Sequence, residues 1–426
     1  MNLLLVHIWY TSITLALLFG GYSMISEYMT TIYGNIGFYS YFIIYLSNVL
    51  GSFISPFLAM AIGVKWSIYV GALTYFIWMA IFNLKSSIII LLVSVINGIG
   101  SAIMRSQQSV WITSLPIKDK LGYYIGIYNA VFNFNGIFAG TISITILFFK
   151  FKLESLIWIF VLIGFVSMIM LLFVKKVPLT DEHFIDKESF IIMLKDKTFM
   201  LLYPIIIFQS FGIIFTYAVL PIFMEENDLA IAIMFLVYSI ASAICSYVIG
   251  ILCDKISSAK LIGFICINSV ISTVYIYLVA IIKTMGGYED AGNSGTHNHN
   301  YAYAYIVSGI FCAINDSGIN GILLYIMSKY YKNKTVFSIH RAIFSIFCAI
   351  YAAVAPFIPW YINSILYNPP IICGLYTFTF YNKKISKNVE ENNNLVETME
   401  SEKNDKTNFV AIELDDISSL GSDPVF

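Results

Sequence analysis

The sequence predicts an all-α polytopic membrane protein of about twelve transmembrane helices, built as two six-helix pseudo-repeats. Three observations carry this expectation. Hydrophobic residues fill 59% of the 426 positions and charged residues only 12%, whereas soluble domains carry roughly 25% charged residues. Apolar runs close to the roughly 20 residues needed to cross hydrocarbon recur along the chain. Two segments of the first half also reappear in the second at nearly the same offset. The surplus apolar surface has to face lipid, which makes the bilayer the first partner. The net charge of −1 excludes the broad basic surface that nucleic acids require.

Taken in order, the apolar runs place spans at Leu3 to Tyr22, Phe38 to Ile62, Trp66 to Phe82, Ile88 to Thr113, Gly122 to Phe149 and Leu156 to Val174. The first run lacks a basic leader and a small-residue cleavage site, so it reads as a span and not as a signal peptide. Residues 1–174 therefore form the N-terminal six-helix half. A charged stretch broken by Pro178, residues 175–197, reads as a cytosolic linker. The C-terminal half, 198–380, supplies spans at Thr198 to Phe223, Leu229 to Ile251, Leu261 to Ile282, Tyr301 to Ile326, Val336 to Pro356 and Trp360 to Phe380. Within it, the polar and Gly-rich residues 283–300 read as a flexible loop, and 381–426 as a disordered cytosolic tail.

Orientation follows from lysine placement, because short basic loops stay in the cytosol. With the N-terminus cytosolic, the loops on that side hold thirteen lysines and the opposite loops four, Lys85, Lys150, Lys152 and Lys283. An integral membrane protein with both termini cytosolic is expected. The sequon Asn333-Lys334-Thr335 then lies on the cytosolic side and stays unmodified.

The internal repeat aligns GIGSAIMRS (Gly98 to Ser106) with GIFCAINDS (Gly309 to Ser317), and IYNAVFN (Ile127 to Asn133) with IHRAIFS (Ile339 to Ser345). These matches pair span four with ten and five with eleven, as parallel six-helix repeats require. They also put Arg105 and Asp316 at equivalent positions.

The twelve-span layout resembles the major facilitator superfamily. GILCDKISSAK after span eight is similar to its Gly-x-x-x-Asp-Arg loop motif, whereas the corresponding AMAIGVKWS after span two lacks the acidic residue. More specifically, AIMRSQQSVWIT, Ala102 to Thr113, resembles the Ala-Leu-Leu-Trp-Thr-Gly-Gln-Gly-x-Tyr-Leu-Thr stretch of the uncoordinated-93 family of ion-channel regulatory proteins. Ala102, Gln108 and Thr113 match, while Arg105 stands where that family carries Trp. Asp316, Ser317 and Asn320 are similar to the family's Asp-x-x-x-Asn pattern, and the region around Ser55, Pro56 and Gly63 to its second span. The resemblance implies a regulator or trafficking partner of a channel or other membrane protein.

Ionisable side chains inside spans are costly and face the bundle interior or an aqueous cavity by default. Arg105, Asp316 and Arg341 are such residues, and with Gln108, Asn129 and Asn320 they form the candidate inter-half set. Arg105 and Asp316 are expected to approach each other directly or through water or solute, with Arg341 as the alternative partner. The competing explanation for either Arg is extension to the headgroups from within about two turns of a helix end. The six cysteines, all in the second half, have no metal-ligand spacing and read as small packing residues. Gly98, Gly100, Gly122, Gly126, Gly136 and Gly140 read as close-packing positions. His297 and His299 lack a third ligand, so no metal and no cofactor is expected. No nucleotide-binding, zinc-hydrolase or serine-hydrolase signature is present, which argues against an enzyme. The two functions left are the regulator that the resemblance implies and a secondary transporter of a small solute working by alternating access.

Overall fold

A lipid-embedded chain must satisfy every backbone amide internally, so each apolar run has to become a helix. In the computed structural model this gives α1 Leu3–Glu27, α2 Asn35–Ile62, α3 Val64–Phe82, α4 Ser87–Thr113, α5 Leu121–Phe148 and α6 Leu153–Leu171. The second half supplies α7 Tyr203–Phe223, α8 Asp228–Cys253, α9 Ser258–Asp290, α10 Ile306–Tyr330 and α11 Thr335–Val354. A short helix Trp360–Leu366 then leads to α12 over 368–384. The structure describes residues 3–115, 120–176, 191, 194–224, 228–290, 304–331, 333–366 and 368–384. Among them, eleven helices are long and apolar enough to cross a membrane.

Several boundaries differ from the sequence expectation: α7 begins at Tyr203 and not Thr198, α10 runs on to Tyr330, and two helices cover the expected span Trp360 to Phe380. The first helix runs one turn past Tyr22 to Glu27, because the apolar pattern continues around that carboxylate. The expected loop 283–300 begins later, since α9 continues to Asp290. Once a helix is nucleated, each further residue adds a hydrogen bond, and this offsets the roughly 1 kcal/mol that each of Gly286 and Gly287 costs. The rest of that loop with His297 and His299, most of the expected linker, and the tail beyond 384 lie outside the described residues.

The packing repeats with a shift of six helices. Between the halves α5 lies along α8, and α2 along α11, two pairs that such a shift exchanges. Within the halves α2 on α4 corresponds to α8 on α10, α1 on α5 to α7 on α11, and α3 on α4 to α9 on α10. The expected partnership of span four with ten and five with eleven therefore reappears as equivalence of neighbours. Of α10's most apolar window 72% is buried, against 33% for α6, which separates a central helix from a lipid-facing one.

The α5–α8 crossing is close because it is built from small residues. A β-carbon on Gly250 would meet the Gly126 backbone, and one on Gly122, Gly126, Gly136 or Gly140 would meet α8 in turn. Gly98 and Gly100 serve α4 in the same way against α2 and α3. Without a hydrophobic force between helices in lipid, such contacts hold the halves by van der Waals packing.

Overpacking this crossing should be costly. Gly250→Leu is expected to remove about 1–3 kcal/mol or more of stability, read as a lower melting temperature of the purified protein, whereas Gly212→Ala, within a helix and where a β-carbon meets nothing within 4 Å, should keep or raise it.

Candidate functional site

Between the halves lies a cavity of about 180 Å3 lined by residues of both. Arg105, Gln108, Asn129, Asp316, Asn320 and Arg341 all line it. Arg105, Asp316 and Arg341 keep intermediate exposure although they sit within membrane-length helices. Lining an internal space, with the Nε atoms of both arginines buried, is what charged side chains within spans do when they face a bundle interior.

Arg105 comes from α4, whose polar face carries Ser101, Arg105 and Gln108 at helical spacing. Its guanidinium stacks on Phe19 of α1, 3.9 Å from the ring centre, and 5.1 Å from that of Phe132 on α5. Arg341 of α11 lies 4.7 Å from the Phe344 ring. The Nε atoms of both are buried without a hydrogen-bond partner. Asp316 of α10 accepts a 2.7 Å hydrogen bond from the Tyr238 hydroxyl of α8. Both arginines line the same cavity as this carboxylate. The direct pair between Arg105 and Asp316 is not formed, for the one ion pair within 4 Å among the described residues is the exposed Lys85–Glu154.

The surrounding polar groups are largely tied down. Gln209 Nε2 of α7 donates to Asn320 Oδ1 at 3.2 Å, and His340 Nε2 faces Gln209 Oε1 at 3.2 Å, so the imidazole donates there. On the other side Ser101 bonds Asn48, and Asn97 Nδ2 donates to the Tyr22 hydroxyl at 3.3 Å. Asn133 of α5 donates to Ser246 of α8 at 2.9 Å, a bond between halves. Asn129 Nδ2 has no partner.

Each end of the cavity is bridged. On the face where α1 begins, the Asp254 carboxylate beyond α8 accepts from the Gly122 and Tyr123 amides at 3.0 and 2.9 Å. These are orphan donors at the start of α5, which has no local side-chain cap because Lys120 precedes it in the left-handed region, φ +61°. A carboxylate from the other half therefore performs the capping, favoured by the helix dipole. Nearby, Lys334 Nζ donates to the Thr113 carbonyl at 3.2 Å. The symmetry-related start of α11 is capped locally, by Asn333 Oδ1 on the Thr335 amide at 2.9 Å.

At the opposite face Tyr28 donates to the Asp228 carbonyl at 3.1 Å, while Thr30 and Tyr41 donate to the Ala218 and Tyr217 carbonyls at 3.4 Å. The last two acceptors belong to Phe215–Val219, a π-helical turn in α7. Such wide turns release carbonyls from the regular ladder and recur at functional sites. Glu27, at the end of α1, is fully buried with neither carboxylate oxygen hydrogen-bonded.

The sequence reading missed Glu27, Gln209, Tyr238 and His340, and it gave no partner to the acid of GILCDKISSAK. Glu27 was within reach, since apolar residues continue on both sides of it. His340 was also within reach, as an ionisable side chain inside a span, whereas Gln209 and Tyr238 carry no sequence signal separating a cavity-facing polar side chain from an interhelical bond.

The family profile described as Major Facilitator Superfamily matches residues 8–352. Among solved structures the chain is similar to one titled "Crystal structure of D-xylose-proton symporter", with a TM-score of 0.62 and 12% identity, covering 88% of this chain and 97% of that one. No curated protein sequence matches it.

Two outcomes test this geometry. Asp254→Ala should speed hydrogen exchange at the Gly122 and Tyr123 amides in the full-length protein, and unchanged exchange there would dismiss the trans cap. Burying an unpaired charge costs several kcal/mol, so Glu27→Gln should keep or raise the melting temperature while Glu27→Lys lowers the yield of folded protein.

Proposed function

The chain belongs to the major facilitator superfamily, and on that premise we propose that it is a secondary transporter carrying a small polar solute through the cavity between its halves by alternating access. One observation carries this reading: charged side chains from both halves, Arg105, Arg341 and Asp316, line a common space without forming an ion pair among themselves. At either end a few hydrogen bonds join the halves. Breaking one set while keeping the other opens one face at a time. The lysine distribution supports a cytosolic face at the Asp254 end and cytosolic termini.

A second reading is a regulator or trafficking partner of another membrane protein. It draws on the likeness of Ala102 to Thr113 to the uncoordinated-93 family and on the missing acidic residue after α2. One scaffold serves both roles, so the cavity weighs in favour of transport without excluding partners.

The full-length protein, purified with its membrane neighbours and reconstituted into liposomes, should show saturable counterflow of at least one of D-xylose, succinate or inorganic phosphate. Asp316→Asn is expected to reduce that flux at least tenfold. Stable co-purification of a channel or receptor with no flux would replace the transporter by the regulator.

A further inference from the structure

Resting on the transporter reading, we infer that the solute bears an oxyanion, a carboxylate or a phosphate, which Arg105 and Arg341 bind from opposite halves. Of the 24 Lys and Arg residues in the chain only two are Arg, and both line this cavity. Lysines serve at every other basic position, so the guanidinium is confined to the one place where its planar fork matters. That fork matches the two oxygens of a carboxylate or phosphate, which an ammonium meets only as a point charge.

Neither guanidinium is neutralised by the protein. Aromatic faces hold them, Phe19 and Phe132 for Arg105 and Phe344 for Arg341, which steadies a cation while leaving its hydrogen-bonding edge free. Their Nε donors are buried and unpartnered. Among the described residues Asp316 is the one carboxylate lining the cavity, and the Tyr238 hydroxyl already occupies one of its oxygens. The cavity thus holds two cationic side chains against one anionic, and a single oxyanion supplies the missing charge. Because Arg105 belongs to α4 and Arg341 to α11, an oxyanion shared between them also draws the halves together when it binds.

The test uses the full-length detergent-purified protein at constant ionic strength, with thermal melting followed in inorganic phosphate, succinate, D-xylose or choline. Phosphate or succinate should raise the melting temperature by several degrees, saturably, as a ligand selective for the folded state does. Arg105→Gln and Arg341→Gln should each weaken that response at least tenfold. Arg105→Lys, which keeps the charge and loses the fork, should weaken it as well, and it serves where the Gln variant does not fold. Stabilisation by D-xylose or choline with none by either anion overturns the oxyanion assignment. So does anion stabilisation of equal strength in all the variants. Counterflow of D-xylose without anion binding removes this inference and leaves the transporter reading standing. Anion binding without flux of any solute removes the transporter reading instead.

Discussion

Hydrocarbon supplies no hydrogen bonds, and nearly everything in this molecule follows from that constraint. Hydroxyls along the spans satisfy themselves on carbonyls of the preceding turn, as Thr14 does on Tyr10 and Ser52 on Asn48. Amides cross between helices, as Gln107 of α4 does to the Ser55 carbonyl beside Pro56. Charges have no such internal solution. Arg105, Asp316 and Arg341 are tolerated because they converge on an internal space between two bundles, and the bundles leave that space because small residues fix where they touch. Architecture and site are consequences of the same scarcity of partners.

Much of the architecture was legible as sequence, since span length and apolar content are set by the bilayer and not by tertiary detail. The repeat was legible for a similar reason: α4 and α10 face the same kind of interior, so the Gly, Ile, Ala and Ser spacing they share has the same packing to serve. The charged members of the site could be read because a charge in an apolar run is conspicuous. The direct pairing of Arg105 with Asp316 could not be judged, because equivalence under a pseudo-twofold says that two side chains face the same axis and not how far apart they remain. Helix ends were the least legible feature, as Glu27 and the extension of α9 to Asp290 show. There local propagation competes with the breaking residues and single charges that mark an end, and the sequence pattern does not weigh the two.

The halves share a plan but not its details. One start of a helix, that of α5, borrows its cap from the other half, while the related start of α11 uses Asn333 from its own loop. Among the described residues only α7 carries a π-helical turn, and its free carbonyls receive Thr30 and Tyr41 from the first half. An oligomer of two identical halves would have to duplicate both features. A single chain with diverged repeats can place one device at each end of the cavity and set their strengths separately.

The borrowed cap on α5 has a thermodynamic corollary. A hydrogen bond to a charged group contributes about 1.5–3 kcal/mol net, and a tenfold change in an equilibrium constant corresponds to about 1.4 kcal/mol. Asp254 is exposed, so solvent screens its two bonds, and on the proposed transporter reading its cap would weight the population toward the state closed at that face by about one decade or less. On that reading, part of the bias between faces would then rest on one side chain outside the cavity, alongside the Lys334 bond to Thr113 at the same face, and could change without altering the residues that line the cavity.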